Sequence, residues 1–273
     1  MPIEQFAPEL EKIISLSEPI QMLADGSDAN TASLVAGYVT SIVNAYNASH
    51  SGQTNLQPVR AEIRLWFNPG LDSLKFTGPG VFVLVMSMNA PLIACLAMAK
   101  ESETKTILQV YASSISAIEF VLGKILAFTI VGLAEAVPLL IALRVYFGDT
   151  FVGEPSSFFV ATLLYCFCVA AFGVFVGAAI PSRAAALQAV SAGGFLLVFL
   201  MSGLIFPVDN IPLGIRWISN LVWGKHYISI VRDAFLAGGG WRANWLDILI
   251  VGFIGVIFTG LAWKNLEKMQ VNA

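Results

Sequence analysis

The sequence predicts an all-α polytopic membrane domain preceded by a small, partial α/β domain. Of the 273 residues, 57% are hydrophobic and only 12% are charged, whereas soluble domains carry about 25% charged residues. The charges are also unevenly placed, because residues 1–78 resemble a soluble domain in composition and residues 79–273 contain long uncharged runs. Too little polar surface remains to cover a globule in water.

Five segments reach the roughly 20 mostly apolar residues that a helix needs to cross a bilayer. Soluble helices of this length are rarely apolar on every face. Only a few charged residues interrupt the segments, and most of those lie near a segment end. The predicted spans are residues 80–99, 120–143, 156–181, 185–206 and 245–263.

The first 78 residues carry the signals of a mixed α/β fold. A strand is predicted over Ile20–Ala24, where it meets the turn signal Asp25-Gly26. A helix is predicted from Ala29 to Asn47, and apolar residues alternate with polar ones over Val59–Phe67, the period of a half-buried strand. One helix and two strands make a thin core, so this domain is expected to be incomplete or to pack on a partner.

Signatures of catalysis, metal binding and nucleic-acid binding are missing from the sequence. The three cysteines, Cys95, Cys166 and Cys168, lie inside apolar runs and are interpreted as small buried residues. The two histidines, His50 and His226, lie on different segments. No G-x-x-x-x-G-K-[ST] loop is present, so the chain is not expected to bind ATP itself by that motif. The net charge of −3 offers no footprint for nucleic acid.

Two polar stretches interrupt the apolar pattern. The stretch Lys100–Glu119 is longer than a turn requires, and it fits either an amphipathic helix on the membrane surface or a solvated loop. The stretch Phe206–Asn244 begins with Pro207 and Pro212, which stop the fourth span. Its mixture of aromatic, aliphatic and basic residues predicts interfacial or re-entrant helices.

Glu135 is the one carboxylate predicted to lie deep in a span. An ionisable group inside a membrane is a functional candidate by default. It either faces a transport pathway or stays protonated and hydrogen-bonded between helices. Pro138, three residues further on, is expected to kink the helix and to free carbonyl groups nearby.

Four segments, in order along the chain, resemble those of the ABC type-2 export permeases that carry a large extracytoplasmic domain after their first span. Towards the N-terminus these are Asp25-Gly26-Ser27-Asp28-Ala29-Asn30-Thr31-Ala32, and Phe67-Asn68-Pro69 with Ser73, Phe76 and Pro79-Gly80. Further along they are Glu101-x-Glu103 with Thr106, Glu119 and Gly123-Lys124, and Met201-Ser202-Gly203-Leu204-Ile205-Phe206-Pro207 with Asn210-Ile211-Pro212 and Arg232. The sequence departs from the family at Lys105, where Gly is usual, and at Ser114 and Trp223, where Pro is common.

The resemblance implies a topology. The family has six spans, and five are predicted here. The resemblance places the start of this chain within the extracytoplasmic domain, after the family's first span. We therefore expect a truncated gene product or a shortened gene model. Residues 1–78, 144–156 and 207–244 are expected to be extracytoplasmic. Residues 100–119, residues 181–187 and the tail from Lys264 are expected to be cytoplasmic.

The resemblance also implies function and partners. The chain is expected to form half of a transmembrane dimer, with a second copy or a paralogue, in the bacterial inner membrane. ATP is expected on a separate ATP-binding subunit, and a periplasmic adaptor protein is a further expected partner. The implied ATPase-coupling residues are Glu101, Glu103, Thr106, Glu119, Gly123 and Lys124. The implied outer-gate residues are Ser202, Gly203, Phe206, Pro207, Asn210, Pro212 and Arg232.

The function expected on this basis is export of an amphiphilic or hydrophobic substrate, with no catalytic site and no metal site on this chain. Two alternatives remain open. A secondary transporter or channel needs no ATPase, although internal repeats and several intramembrane charges are typical of that class. A non-transporting scaffold, or an inactive truncated permease, is the other alternative.

Overall fold

The computed structural model describes residues 20–25, 29–50, 61–66, 73–104, 115–148, 150–204 and 213–271. The chain divides into two units, one that ends at Phe76 and one that begins at Thr77. The described part of the first unit holds two strands and a helix, followed by the start of a second helix. The described part of the second unit is helical, with short connections.

In the first unit, strands β1 (Ile20–Asp25) and β2 (Ala61–Trp66) pair in parallel. Helix α1 (Ala29–His50) lies between them in the chain. Parallel neighbours need a crossover connection, and this helix supplies it. The two strands lie close to the positions that the turn signal and the period-two alternation predict, and the helix begins at the predicted Ala29.

Within the described residues, five helices are long and apolar enough to cross a membrane, which confirms the predicted polytopic helical architecture. They are α2 (Ser73–Glu103), α3 (Ala117–Tyr146), α4 (Pro155–Ala179), α5 (Arg183–Met201) and α8 (Gly240–Val271). Helix α5 contains a wide π-helical turn at Ser191–Leu196.

Most of the span helices extend beyond the apolar runs that predict them, because polar residues continue the helix at its ends. Helix α3 begins at Ala117, almost one turn before the predicted residue 120. The Ser116 hydroxyl accepts a hydrogen bond from the Glu119 amide, and the Glu119 carboxylate accepts one from the Ser116 amide. This capping box satisfies two amide groups at the helix start. Parts of the polar stretch 100–119 are therefore the ends of α2 and α3, and residues 105–114 lie outside the described residues.

Helix α4 is the most enclosed of the five spans. Two glycines one turn apart, Gly173 and Gly177, let α2 approach it closely. A Cβ atom at Gly177 would lie 2.7 Å from the carbonyl oxygen of Cys95, and one at Gly173 would collide with the carbonyl oxygen of Pro91. Helix α8 packs along the length of α4. Small residues at such contacts allow close helix packing in membranes, where burial away from lipid gives little gain.

Two short helices, α6 (Leu213–Ser219) and α7 (Trp223–Arg232), follow α5 and precede α8. A π-helical turn at Asp233–Ala237 continues α7. Much of α7 is buried against the bundle, including Tyr227 and Ile230. Helices are therefore present between the fourth and fifth spans, in the stretch for which the sequence predicts interfacial or re-entrant helices, and we call residues 213–239 the outer segment.

Large apolar side chains are exposed along α3 and α8, including Ile130 and Phe253 at 67% each. This is the expected surface of a helix that faces lipid. Trp245 and Trp263 are both exposed on α8. Eighteen residues of helix separate them, or about 27 Å, which approaches the ~30 Å thickness of a bilayer core and suits tryptophans at the two interfaces.

Candidate functional site

One end of the bundle carries charged residues of the predicted coupling set. Glu101, in the last turn of α2, forms an ion pair with Lys124 in α3, and both side chains are about one quarter exposed. The Lys124 ammonium also lies 5.5 Å from the centroid of the Phe120 ring, a distance suited to a cation–π contact. The other carboxylate oxygen of Glu101 is buried and has no hydrogen-bond partner among the described residues. The pair fixes the end of α2 against α3.

Glu103 links the same end of the bundle to a third span. Its carboxylate accepts a hydrogen bond of 3.1 Å from the backbone amide of Arg183, the first residue of α5. A carboxylate at a helix N-terminus is favourable, because unpaired amide groups and the positive end of the helix dipole lie there. Glu101 and Glu103 therefore connect the ends of α2, α3 and α5.

The other predicted coupling residues are placed differently. Glu119 hydrogen-bonds with Ser116 in its own capping box. Gly123 has open space where a side chain would extend. Thr106 lies outside the described residues. The structure thus brings Glu101 and Lys124 together directly, places Glu103 at the same end of α2, and gives Glu119 a local role in starting α3.

Three residues of the predicted outer gate are described. Arg232, at the end of α7, donates a hydrogen bond of 3.1 Å from Nη1 to the carbonyl oxygen of Gly203. Gly203 follows α5 with a φ of +83°, a conformation that favours glycine. Ser202 is buried beside it. Arg232 therefore connects the outer segment to the end of the fourth span. The other predicted outer-gate residues lie outside the described residues; they are Phe206, Pro207, Asn210 and Pro212.

A buried polar network, not predicted from the sequence, joins the outer segment to the spans. The Tyr227 ring in α7 stacks on the Tyr165 ring in α4 at 3.8 Å, and both residues are fully buried. The Tyr227 hydroxyl donates to the Thr162 hydroxyl at 2.9 Å, and Tyr165 hydrogen-bonds to Ser87 in α2. Burial raises the pKa of the Tyr227 phenol, so this group stays protonated and acts as a donor. These four residues form the tyrosine network.

His226 makes a second set of contacts that the sequence did not predict. Its Nδ1 lies 2.7 Å from the Asp247 carboxylate in α8, and its Nε2 lies 2.9 Å from the carbonyl oxygen of Asn220. A carbonyl oxygen only accepts hydrogen bonds, so Nε2 carries a hydrogen. The nearest sequence signal is the position of Asp247 at the edge of the fifth span. This contact joins the outer segment to α8.

Two carboxylates hold the start of α8. Asp233 accepts hydrogen bonds from the backbone amides of Gly239 and Gly240 and from the Asn244 side chain, at 2.6 to 3.0 Å. Glu154, which precedes α4, accepts one from the Trp241 amide at 3.3 Å. Free amide groups at a helix start are thereby satisfied. Both carboxylates therefore serve the local fold.

Glu135 lies near the middle of α3, as predicted, and a residue of α2 faces it. Asn89 Nδ2 donates a hydrogen bond of 2.8 Å to Oε1 of Glu135. The second oxygen, Oε2, is buried and has no hydrogen-bond partner among the described residues. Asn89 is exposed and Glu135 is half-buried. The sequence indicated Glu135 but not Asn89, because the two residues are far apart in the chain.

In the described residues, no group of three or more His, Cys, Asp or Glu side chains is arranged to hold a metal ion. Cys95, Cys166 and Cys168 are free and buried in the helical core. Five apolar spans, an outer segment buried against them and charged contacts at the opposite end define a multi-pass membrane protein.

The chain belongs to the ABC-2 family transporter proteins, whose sequence profile matches residues 9–264. It is therefore the transmembrane permease subunit of an ABC transporter, a class of transporter that implies an ATP-binding partner subunit. The predicted family is confirmed.

Several Escherichia coli (strain K12) proteins are similar to the chain. The probable multidrug ABC transporter permease YbhS is 26% identical over 266 residues, which cover 96% of this chain and 70% of the relative. The probable multidrug ABC transporter permease YbhR is 24% identical, with 87% and 66% covered. The inner membrane transport permease YhhJ is also 24% identical, with 91% and 67% covered. The chain thus spans about two thirds of the length of these relatives.

Proposed function

We propose that the chain is the permease of an ATP-driven exporter that moves amphiphilic or hydrophobic molecules out of the cytoplasm. Two of its relatives are named probable multidrug permeases. ATP is bound and hydrolysed on the partner subunit, and this chain supplies the pathway. The observation that carries the proposal is the connection of three span ends through Glu101, Lys124, Glu103 and Arg183.

This charged end of the bundle is the docking surface for the ATP-binding subunit. The Glu103 side chain is exposed although its carboxylate contacts the start of α5. A subunit that binds the polar connection after α2 therefore pulls on α2, α3 and α5 together. Two packings of the spans are needed for transport, and the partner biases them through contacts that differ between the two states.

The outer segment is the opposite gate. Its contacts with the spans include those of Arg232 with the end of α5, Tyr227 with α4, and His226 with α8. A movement of α4 relative to α5 or α8 changes these contacts, so the segment responds to the state of the spans. Its buried position supports a gating role better than a role as a solvated loop.

The remaining partners follow from this arrangement and from the family. The charged end faces the cytoplasm, and the outer segment and the β1-α1-β2 unit are extracytoplasmic. The chain works as half of a dimer with a second copy or a paralogue, in the inner membrane of a bacterium. The described part of the β1-α1-β2 unit holds two strands and one helix, a small set of elements for an independent domain, which supports contact with a periplasmic adaptor protein.

The test measures ATPase binding and ATP-driven export of a lipophilic dye, with the permease reconstituted beside its ATP-binding subunit. We expect Glu103→Lys to weaken binding about tenfold, equal to a loss of ~1.4 kcal/mol, and to lower export. Glu267→Lys is the matched control, because Glu267 is exposed towards the same end of the bundle, in α8. Unchanged binding and export in Glu103→Lys would remove the coupling assignment.

A charge exchange separates an internal contact from a contact with the partner. Glu101→Lys alone is expected to weaken both coupling and packing. If Glu101 serves only to hold Lys124, the double variant Glu101→Lys with Lys124→Glu restores export. If Glu101 itself contacts the ATP-binding subunit, the double variant stays impaired.

A further inference from the structure

The polar pair Glu135–Asn89 joins the central parts of two of the membrane spans. Glu135 is near the middle of the span Ala117–Tyr146, and Asn89 is near the middle of the span Thr77–Glu103. The other acidic and basic residues of the described spans lie closer to the span ends. A charged group at this depth costs several kcal/mol unless something neutralises it.

The described residues supply only an uncharged donor to Glu135. Among the described residues, the Asn89 amide is its hydrogen-bond partner, and the second carboxylate oxygen has none. Of the basic residues of α3, Lys124 is about three helical turns from Glu135 and is paired with Glu101, and Arg144 is about two and a half turns away in the last turn of the helix. The positive charge that would balance an ionised Glu135 must therefore come from outside the described part of the chain.

The surroundings of the pair are open on one side and apolar. One turn before Glu135, Gly132 is buried and lies close to Ala90 and Cys166, so α2, α3 and α4 meet behind the pair. On the other side Asn89 is exposed. Met88 and Ile93 of α2 are exposed beside it, at 41% and 45%. A molecule with an apolar body can lie on these side chains with its charged group beside the exposed Asn89, which contacts the carboxylate.

We propose that Glu135 and Asn89 form a recognition site for the positively charged headgroup of an amphiphilic substrate. The carboxylate neutralises the headgroup in an environment of low dielectric, where a single charge pair has a large effect. Asn89 orients the carboxylate through Oε1. The inference rests on the proposed export function and adds a substrate class, organic cations with an apolar body.

The test compares two probes of nearly equal size and shape and of opposite charge, tetraphenylphosphonium and tetraphenylborate. Their binding to the full chain in lipid nanodiscs is measured by equilibrium dialysis, and binding to empty nanodiscs is subtracted. We expect the wild-type chain to bind the cation and not the anion. Glu135→Gln should weaken cation binding at least tenfold, and Asn89→Ala should weaken it less. Glu267→Gln, the matched control, should leave it unchanged.

Several results would overturn the proposal. These are equal binding of the two probes, wild-type cation binding in Glu135→Gln, or no binding to the wild-type chain beyond the lipid. Displacement of the probe by millimolar sodium would assign the site to an inorganic cation instead. A thermal unfolding curve of each variant shows whether it is folded, and Glu135→Asp, which keeps the charge, should retain part of the binding.

A separate measurement keeps this inference distinct from the export function. ATP-driven movement of tetraphenylphosphonium is followed in vesicles that contain the permease and its ATP-binding subunit. Glu135-dependent binding without ATP-driven movement of any probe would contradict export and leave the site standing. ATP-driven export of uncharged dyes that is unaffected by Glu135→Gln, together with charge-independent binding, would overturn the site and leave the export function standing.

Discussion

At the scale of single residues, the hydroxyl groups of the tyrosine network matter less than its rings. Thr162 also donates to the backbone of its own helix, so it keeps a partner when Tyr227 loses its hydroxyl. Tyr165 and Tyr227 are fully buried and stacked. Large aromatic rings contribute most of the stability at such positions through the apolar area that they bury.

We therefore expect Tyr227→Phe to lower the free energy of unfolding by about 1 kcal/mol, the usual value of one hydrogen bond. Tyr227→Ala should lower it by at least ~3 kcal/mol, because it leaves a cavity. Thermal or denaturant unfolding in a defined detergent distinguishes the two variants. Equal losses would mean that the hydroxyl, and not the ring, holds the outer segment.

The His226–Asp247 contact is expected to act as a coupled pair. The double-mutant cycle of His226→Ala, Asp247→Ala and both together should give a coupling energy of about 1 kcal/mol in unfolding stability. The physical reason is that either single change removes the same hydrogen bond of 2.7 Å. Additive effects of the two substitutions would show that the contact contributes nothing by itself.

At the scale of helices, the contact between α2 and α4 depends on two glycines. We expect Gly177→Ala to lower the free energy of unfolding by about 1–3 kcal/mol, since the new Cβ meets a backbone oxygen and the helices must separate. Gly260→Ala in α8 is the matched control, because nothing lies within 4 Å of its Cβ position. There alanine should be neutral or slightly stabilising, as it favours helix formation over glycine. Similar results for the two variants would argue against close packing at Gly177.

The sequence predicts the helices better than it predicts their contacts. The five spans can be predicted from the apolar runs, because a membrane span depends on the composition of one continuous segment of the chain. The start of α3 at Ala117, three residues before the predicted residue 120, also has a signal in the sequence, since Ser116-x-x-Glu119 before an apolar run is the pattern of a capping box. The hydrogen-bond partners of Glu135 and His226 could not be predicted from the sequence. Asn89 and Asp247 are brought to them by helix packing, which leaves no periodic signal in the sequence.

At the scale of the whole molecule, the proposed orientation makes a prediction about accessibility. Single cysteines placed at the exposed residues Ala45, Thr150 and Trp241 should react with a membrane-impermeant maleimide from outside the inner membrane. Cysteines at Thr104 and Glu267, which are also exposed, should react only after the membrane is permeabilised. The native thiols are buried and provide the unreactive background.

The opposite labelling pattern would show that the protein has the inverted orientation in the membrane. The docking surface and the outer gate would then lie on the wrong sides for their assigned roles. Labelling of Ala45 from the inside, with Thr150 labelled from the outside, would show that α2 does not cross the membrane as proposed, because the β1-α1-β2 unit directly precedes that helix in the chain. The two failures are therefore distinguishable in one set of samples.

The enclosed position of α4 has a consequence for how the protein is made. A ribosome delivers α2 and α3 before α4, but α8 emerges only after the outer segment has been synthesised. Until then, the face of α4 that α8 will cover stays in contact with lipid or with the insertion machinery. Because α4 carries no charged residue, its exposure to lipid before α8 is inserted does not place a charge in the bilayer. The permease reaches its final packing only when α8 has been inserted.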